Sequence, residues 1–268
     1  MPKPRANALD GREWIRHSIS VWNDLGKSTA EAGLGHPALF PAALVDRLLD
    51  CFIQEGDRTV LDPFAGSGST LLAACGRGLH ATGIDLSPDY IALAGRRLAE
   101  AGFQEETDYR LLHADARQVN DLLPPNSVDF CVTSPPYWNI LRQRRSADGK
   151  VRRHYGDRDA NLGDIDAYPA FLEALRPVFH GLGTILRPGG YCCVIVMDLR
   201  KGARFYPLHQ DVAELMQEAG FIYDDLIIWD RRAEYNNLRP LGYPYKFRIN
   251  KVHEFILIFE KTAADGTG

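Results

Sequence analysis

The sequence predicts an α/β fold, in which a mostly parallel sheet of about seven strands carries helices on both faces. From about residue 59 onward, short apolar runs alternate with amphipathic runs, which is typical of strands that alternate with helices. Two long polar segments, near 139–165 and 231–250, each follow a predicted strand. Segments of that length inside a compact α/β domain are usually functional. We expect both to lie at the carboxyl edge of the sheet, where open α/β folds bind ligands.

The first half of the chain supplies its elements in a regular order. A helix over PAALVDRLLDCF begins near Pro41 and precedes the short strand TVLD. The run GSTLLAACGRG begins as a helix and ends on glycine, and HATGID is the next strand. A helix then runs from Ser87 to Ala101, because Ser87 is a good N-cap and Asp89 favours the first turn.

The second half continues the alternation. YRLLHAD and SVDFCVTS are the third and fourth strands, and a helix is predicted near Tyr168 to Leu186. RPGGYCCVIVMD supplies a turn and a fifth strand, and LHQDVAELMQEAG is an amphipathic helix that ends at Gly220. FIYDDLIIW and KVHEFILIFEK are the last two strands. We therefore divide the chain into an N-terminal segment (1–35), one domain (36–261) and a short tail (262–268).

The composition is that of an ordinary globular domain, since 45% of the 268 residues are hydrophobic and 25% are charged. No apolar run approaches the ~20 residues of a membrane-spanning helix, and the N-terminus lacks the apolar stretch of a secretion signal. The five cysteines include no C-x-x-C pair, so neither a disulfide framework nor a metal site is predicted. We expect a cytoplasmic protein with reduced thiols and no membrane partner.

Positive charge is concentrated in the two long segments, although the net charge of the chain is −4. Both segments also carry aromatic residues, such as Tyr155 in the first and Tyr243 and Phe247 in the second. Basic and aromatic residues together are typical of a surface that contacts nucleic acid. The candidate contacts are Arg142, Arg144, Arg145, Arg152, Arg153, Arg231, Arg232, Lys246 and Arg248.

A glycine-rich loop, DPFAGSGST at 62–70, lies between the strand TVLD and a helix. Glycines in such a loop let the backbone approach a ligand closely. The loop lacks the lysine of a P-loop, and Leu71 stands where a dinucleotide fingerprint needs its third glycine. We therefore predict that the loop holds a ligand other than a polyphosphate.

Three carboxylates, those of Asp62, Asp85 and Asp115, lie at the ends of successive predicted strands. An acidic residue about 20 positions after the glycine turn suits a ribose diol, which is the role predicted for Asp85. Asp115 is positioned to accept a hydrogen bond from an adenine amino group. A nucleoside without phosphates satisfies this pattern, and S-adenosylmethionine (SAM) is the cofactor that we predict.

The run TSPPYW, at 133–138, follows the apolar strand VDFCV with two prolines that cannot continue a strand ladder. Together with DPFAGSGST, GIDLSPDY and HADA, this run resembles the SAM-dependent DNA amino-methyltransferases, which methylate cytosine N4 or adenine N6. HPALFP at 36–41 resembles the segment that closes the cofactor pocket in the β-type members, and LRPGG and KVHEFILIFEK also match. The glycine loop precedes SPPY here, so the motif order resembles a circular permutation of the β-type arrangement.

The resemblance extends over roughly residues 18–261 and implies a Rossmann-like class I methyltransferase fold. It implies that the catalytic residues are Ser134, Pro135, Pro136 and Tyr137. The cofactor contacts that it implies are His36, Pro37, Asp62, Phe64, Gly66, Gly68, Ser69, Thr70, Asp85, Leu86, Asp115 and Ala116.

In the chemistry of this family, an exocyclic amino group attacks the methyl group of the sulfonium directly. The amino lone pair is conjugated with the ring, so acceptors on both N–H bonds favour the attack. We expect these acceptors to be the Ser134 hydroxyl and the Pro135 carbonyl. We expect Tyr137 to stack on a base that has left the duplex, since stacking returns about 1–3 kcal/mol of a flipping cost of similar size. Trp138 is predicted either to form another wall of that base pocket or to pack beneath it.

Cytosine N4 is the predicted target, because SPPY is associated in the family with N4 and D/N-P-P-Y with N6. Methylation at cytosine C5 needs a cysteine nucleophile, usually after proline, and the sequence has no Pro-Cys pair. Adenine N6 in DNA and cytosine N4 in RNA remain alternatives, as does a silent SAM-binding subunit that recognises nucleic acid for a partner. Double-stranded DNA is the predicted partner, and a homodimer and a cognate restriction endonuclease are left open.

Overall fold

The computed structural model of the chain describes residues 5–33, 39–138, 162–234 and 238–262. Its helices are α1 (Gly11–His17), α2 (Thr29–Gly33), α3 (Ala42–Phe52), α4 (Ser69–Gly76), α5 (Pro88–Glu100), α6 (Val119–Leu122), α7 (Tyr168–Ile185) and α8 (Leu208–Glu218). Its strands are β1 (Val21–Trp22), β2 (Thr59–Asp62), β3 (His80–Asp85), β4 (Tyr109–His113), β5 (Val128–Thr133), β6 (Leu186–Val196), β7 (Leu199–Lys201), β8 (Arg204–Tyr206), β9 (Phe221–Asp230) and β10 (His253–Lys261).

Within the described residues, the main sheet contains eight strands in the order β1-β9-β10-β6-β5-β2-β3-β4. Neighbouring strands are parallel except where β10 meets β6 and β9. The predicted, mostly parallel sheet is therefore confirmed, with one strand more than predicted. The additional strand, Val21–Trp22, pairs with the end of β9, so part of the predicted N-terminal segment (1–35) belongs to the sheet.

Apolar side chains on the two faces of the sheet form two cores. One core contains Phe171 and Phe179 of α7, which pack with Met216 of α8. The other contains Leu48 of α3 and Leu71 of α4. Within β5, Cys131 belongs to the first core, whereas its neighbours Phe130 and Val132 belong to the second, as the alternation of a strand requires. Helices thus cover both faces, as predicted.

Helix ends follow the local sequence closely. The Ser87 hydroxyl accepts a hydrogen bond from the backbone N–H of Tyr90 at 3.4 Å, which confirms Ser87 as the N-cap of α5. Gly68 caps α4 with φ +80°, a left-handed conformation that favours glycine. A Cβ on Gly68 would lie 2.9 Å from the Cβ of Ala94, so glycine also lets the start of α4 approach α5. Both the backbone conformation and the packing against α5 therefore require glycine at position 68.

A short antiparallel hairpin, formed by β7 and β8, follows β6 outside the main sheet. This hairpin was not among the predicted elements. Its Tyr206 ring lies 5.0 Å from the Trp138 ring, centroid to centroid. Its Lys201 ammonium lies 4.2 Å from the Trp138 ring centroid, which is a cation–π distance. The hairpin therefore packs directly on the residue that follows SPPY.

Two further properties belong to the part of the chain that the structure describes. None of its helices is long and apolar enough to cross a membrane. It also contains no group of three or more His, Cys, Asp or Glu side chains that is arranged to hold a metal ion.

Candidate active site

A buried carboxylate connects the glycine loop to the SPPY run. Thr133 Oγ1, at the end of β5, donates to Asp62 Oδ1 at 2.8 Å, and Thr70 Oγ1 donates to Asp62 Oδ2 at 2.6 Å. The backbone N–H of Phe64 also donates to Asp62, at 3.0 Å. Because Thr133 immediately precedes Ser134, these bonds hold the SPPY run next to the loop at the carboxyl edge of the sheet.

The surroundings of Asp62 change its acidity. The side chain is fully buried, and burial raises the pKa of Asp62 to about 6, although hydrogen bonds from Thr70, Thr133 and the Phe64 backbone act to lower it. Asp62 and Thr70 were both predicted to contact the cofactor. In the structure their side chains are buried and hydrogen-bonded to each other, so they shape the loop from beneath.

The backbone of the loop is held from two directions. Gly66 has φ +50°, and its N–H donates to Asp85 Oδ2 at 2.8 Å. Asp85 Oδ1 accepts from the backbone N–H of Ser87 at 2.8 Å. From α5, Arg97 Nη1 donates to the carbonyl of Ser67 at 2.5 Å. The loop is therefore fixed between the end of β3 and the face of α5.

Two polar groups at this edge have hydrogen-bonding capacity to spare for a cofactor. Burial raises the pKa of Asp85, and the N–H groups of Ser87 and Gly66 act in the opposite direction. A carboxylate has about four acceptor positions, so Asp85 can still receive the hydroxyls of a ribose. Ser69 Oγ, in the first turn of α4, is buried and has no hydrogen-bond partner among the described residues. These residues fit the SAM site that the sequence predicts.

Asp115 follows β4 and caps a short 3-10 helix that begins at Ala116. It accepts from the backbone N–H of Arg117 at 2.9 Å and from the guanidinium of the same residue at 2.5 Å. Burial acts to raise the pKa of Asp115, but the hydrogen bonds from Arg117 outweigh it, and the pKa is lowered. Beside it, the Leu86 carbonyl lies 3.0 Å from His113 Nε2, which joins the ends of β3 and β4. Arg117 was not among the predicted site residues.

A chain of hydrogen bonds begins at Ser134 and runs into the protein. Ser134 Oγ lies 3.1 Å from Tyr137 Oη, and Tyr137 Oη donates to Glu254 Oε2 at 2.8 Å. Glu254, in β10, is only 5% exposed, and its other oxygen is paired with Arg231 Nη1. Burial raises the pKa of Tyr137 well above its usual value, and the charge of Glu254 adds to this effect.

The direction of this chain follows from its end. Glu254 is paired with a guanidinium, so it is a carboxylate that can only accept, and the single hydroxyl proton of Tyr137 points to it. Ser134 must then donate its own proton to Tyr137. The lone pairs of Ser134 Oγ are left to accept a hydrogen bond from a substrate. Pro135, the next residue, is buried, and Pro136 and Ser134 are partly exposed.

Arg231 was predicted to contact nucleic acid, and in the structure its guanidinium binds two carboxylates of the protein. Its guanidinium is paired with Glu254 and, at 2.6 Å, with Glu234, and it lies 4.7 Å from the Trp229 ring centroid. Only 13% of its side chain is exposed. Arg231 therefore supports the hydrogen-bond chain from behind.

The other predicted contacts occupy different surroundings. Arg232 is exposed and paired with Asp230 at 2.6 Å. Lys246 is exposed and Arg248 half-buried in the segment between β9 and β10. The remaining predicted residues, His36, Pro37, Arg142, Arg144, Arg145, Arg152 and Arg153, lie outside the described residues.

Trp138 is buried in a cluster of aromatic rings. It is 4% exposed and packs against Tyr168 at 5.3 Å as well as against Tyr206 of the hairpin. Its φ of +50° turns the chain away from the direction of β5. This burial favours the packing role, and the position of Trp138 relative to a bound base stays a prediction. Tyr137 as a residue remains partly exposed, whereas its hydroxyl is held by Glu254.

Comparison with known proteins identifies the family. A family model described as DNA methylase matches residues 7–96 and 128–265, and a methyltransferase domain model matches residues 60–154. The Type II methyltransferase M.MjaI of Methanocaldococcus jannaschii is 25% identical over 171 residues, which are 58% of this chain and 56% of that protein. The Type II methyltransferase M.BglI of Bacillus subtilis is 43% identical over 122 residues, which are 44% of this chain and 33% of that protein.

A third relative is named for a tRNA substrate. The tRNA (guanine(10)-N2)-dimethyltransferase of Methanothermobacter thermautotrophicus is 32% identical over 126 residues, which are 45% of this chain and 35% of that protein. The chain thus spans 56% or less of the length of each of these three relatives.

Two solved structures share the fold. TrmN from Thermus thermophilus is 20% identical with a TM-score of 0.51, over 83% of this chain and 49% of that one. The [4+2]-cyclase SpnF is 16% identical with a TM-score of 0.54, over 83% of this chain and 82% of that one. The sheet order and these matches agree with a Rossmann-like class I methyltransferase fold. Since the family model covers more than half of its residues, the chain belongs to the DNA methylase family of SAM-dependent amino-methyltransferases.

Proposed function

We propose that the chain transfers the methyl group of SAM to the exocyclic N4 of a cytosine that has left the DNA duplex. The observation that carries this proposal is the directed hydrogen-bond chain from Ser134 through Tyr137 to Glu254. It leaves a hydrogen-bond acceptor at the strand tip, and an amino group conjugated with a ring needs an acceptor there to become nucleophilic.

The residues proposed to hold SAM are those of the glycine loop and the strand end beside it. Asp85 would accept hydrogen bonds from the ribose hydroxyls, and SAM would provide a partner for the buried hydroxyl of Ser69. SAM supplies an electrophilic methyl group on a sulfonium. The loop is fixed by Asp62 and Arg97 before any ligand binds, so little reorganisation is needed at the moment of reaction.

The proposed step needs no strong base. Ser134 Oγ accepts one amino N–H and the Pro135 carbonyl accepts the other, which frees the nitrogen lone pair for attack. The nitrogen forms a bond to the methyl carbon as the carbon–sulfur bond breaks, and it then loses a proton to water. The two prolines restrict the backbone on either side of that carbonyl, so the main contribution is alignment.

The family match and one relative support an exocyclic amino nitrogen as the target. Two relatives are named Type II methyltransferase, and the tRNA enzyme is named for guanine N2, which is an exocyclic amino group. We favour cytosine N4 because the tip carries SPPY, with a serine in the first position. Adenine N6 in DNA and cytosine N4 in RNA are the alternatives. Homodimerisation and a cognate endonuclease stay predictions.

Label transfer from methyl-labelled SAM tests the proposal. Duplex DNA and single-stranded RNA are incubated with the chain, digested to nucleosides and separated. We expect the label in N4-methyldeoxycytidine. Label in N6-methyldeoxyadenosine would overturn the choice of base, and label in RNA alone would overturn the choice of DNA. Label at cytosine C5 would refute the amino mechanism, as would an undiminished rate in Ser134→Ala.

A further inference from the structure

A cleft of about 240 Å³ lies beside the proposed active site and is lined by cations and aromatic rings. Its lining residues are Arg200, Phe205, Phe247, Arg248, Ile249 and Lys251. We infer that this cleft binds an unstacked nucleotide of the substrate strand, separate from the target base. Because this ligand is part of a nucleic acid, the inference rests on the proposed function.

The two walls of the cleft come from elements that meet at the catalytic edge of the sheet. One wall is the β7–β8 hairpin, which follows β6 and packs on Trp138, the residue after Tyr137. The other wall belongs to the segment between β9 and β10. These two strands are paired from Asp230 and His253 onward, so the segment leaves and re-enters the sheet at that edge. A strand that delivers a base to Ser134 therefore has the cleft within its path.

The lining chemistry suits a base and its phosphate. The Lys251 ammonium lies 4.8 Å, and the Arg200 guanidinium 5.5 Å, from the Phe205 ring centroid. Phe247 is 90% exposed and Phe205 is 37% exposed. Large exposed rings in one place are typical of a binding surface. A base can stack on the open ring of Phe247, as in proteins that bind single strands, while the cations held beside Phe205 contact its phosphates.

Charge decides between a nucleotide and an apolar partner. Three of the six lining residues are cations, and none is acidic. An apolar peptide would cover the phenylalanines but would leave Arg200, Arg248 and Lys251 without neutralisation. A nucleotide satisfies both sets of residues, because every base has a flat apolar face and every linkage carries a negative charge.

Binding of two oligonucleotides without SAM tests the cleft. The probes are a fluorescein-labelled single strand of oligodeoxythymidine and an abasic strand of the same length, which has the phosphates but no bases. Phe247→Ala should weaken binding of the thymidine strand by roughly 5- to 150-fold, since one stacked base is lost, and should leave the abasic strand unaffected. Phe247→Trp should restore thymidine binding.

Charge removal should behave differently. Arg200→Gln should weaken binding of both strands and lower the salt dependence by about 0.7 per phosphate contact. The matched control is Tyr245→Ala, which removes a ring that is 94% exposed in the same segment but does not line the cleft. That control should bind both strands like the wild type.

Each outcome separates the cleft from the proposed function. If Phe247→Ala binds the thymidine strand with wild-type affinity, or loses equal affinity for the abasic strand, the nucleotide-binding role of the cleft is refuted even if the enzyme methylates DNA. A wild-type chain that binds neither strand would overturn it as well. Thymidine binding that depends on Phe247, in a chain that transfers no methyl group, would support the cleft and refute the proposed function.

Discussion

The negative charge of Glu254 gives the hydrogen-bond chain its direction, and Glu254→Gln should reverse that direction. The glutamine carbonyl must face Arg231, because a guanidinium has donors only. The glutamine NH₂ group then faces Tyr137 Oη and donates to it. Tyr137 in turn donates to Ser134, whose own proton is pushed toward the substrate amino group. Ser134 would then direct a donor at the substrate N–H, where the reaction needs an acceptor.

The size of the effect follows from the hydrogen bond that Ser134 can no longer accept from the substrate amino group, which becomes positively charged as it takes the methyl group. A hydrogen bond to a charged group contributes about 1.5–3 kcal/mol. Each 1.36 kcal/mol is a factor of ten in rate, so methyl transfer should slow by roughly 10- to 150-fold. Affinities for SAM and for DNA should change little, because the buried Glu254 contacts Tyr137 and Arg231 rather than the glycine loop.

Single-turnover transfer from methyl-labelled SAM measures this rate. Glu234→Gln is the matched control, since it removes the other carboxylate bound to Arg231, at 2.6 Å, without touching Tyr137. Tyr137→Phe breaks the chain without reversing it and should fall between the control and Glu254→Gln. Equal transfer rates in Glu254→Gln and Glu234→Gln, with both variants folded by thermal melting, would refute the reasoning.

Three further predictions concern the glycine loop. Burial raises the pKa of Asp62 from 3.8 to about 6, so the folded chain favours the protonated acid. As the pH rises from below 3.8 to above 6, the free energy of unfolding of the wild type should therefore fall by roughly 3 kcal/mol relative to that of Asp62→Asn. Denaturant titrations of both proteins measure this difference, and a difference that stays constant with pH would contradict the prediction. Asp85→Ala should weaken SAM binding roughly 10- to 100-fold in calorimetry with little change in DNA affinity, whereas an equal loss of both would count against a cofactor role. Gly68→Ala should lower stability by about 1–3 kcal/mol more than Gly56→Ala, because both have positive φ but only Gly68 would place its Cβ against another side chain, that of Ala94; equal melting temperatures would disprove the clash.

The parts of the fold that sequence predicts are those with a local signal. The parallel core strands are continuous apolar runs, and Ser87 marks the start of α5 by its capping chemistry. The missed strands lack such a signal. Val21–Trp22 is two residues long and exists only because the end of β9 offers a parallel partner. The β7 and β8 strands have three residues each and are rich in arginine, lysine and tyrosine.

The site divides in a similar way. The glycine loop, the carboxylates at strand ends and SPPY are compact motifs, and parallel pairing of β2, β3 and β5 brings them to one edge. Glu254 is 117 positions from Tyr137 along the chain, so no local pattern joins them, although its place in an apolar strand was a signal that a buried charge needs a partner. Arg231 looked like a surface cation in a basic run, yet its two carboxylate partners draw it inward. The permuted motif order stays a prediction.

A crystal structure of the chain with S-adenosylhomocysteine and a cytosine-containing duplex tests the central claim most directly. We predict a flipped cytosine whose N4 amino group lies about 3 Å from both Ser134 Oγ and the Pro135 carbonyl, and faces the sulfur. A base that presents a ring carbon to the sulfur, or an amino group that contacts neither acceptor, would contradict the account.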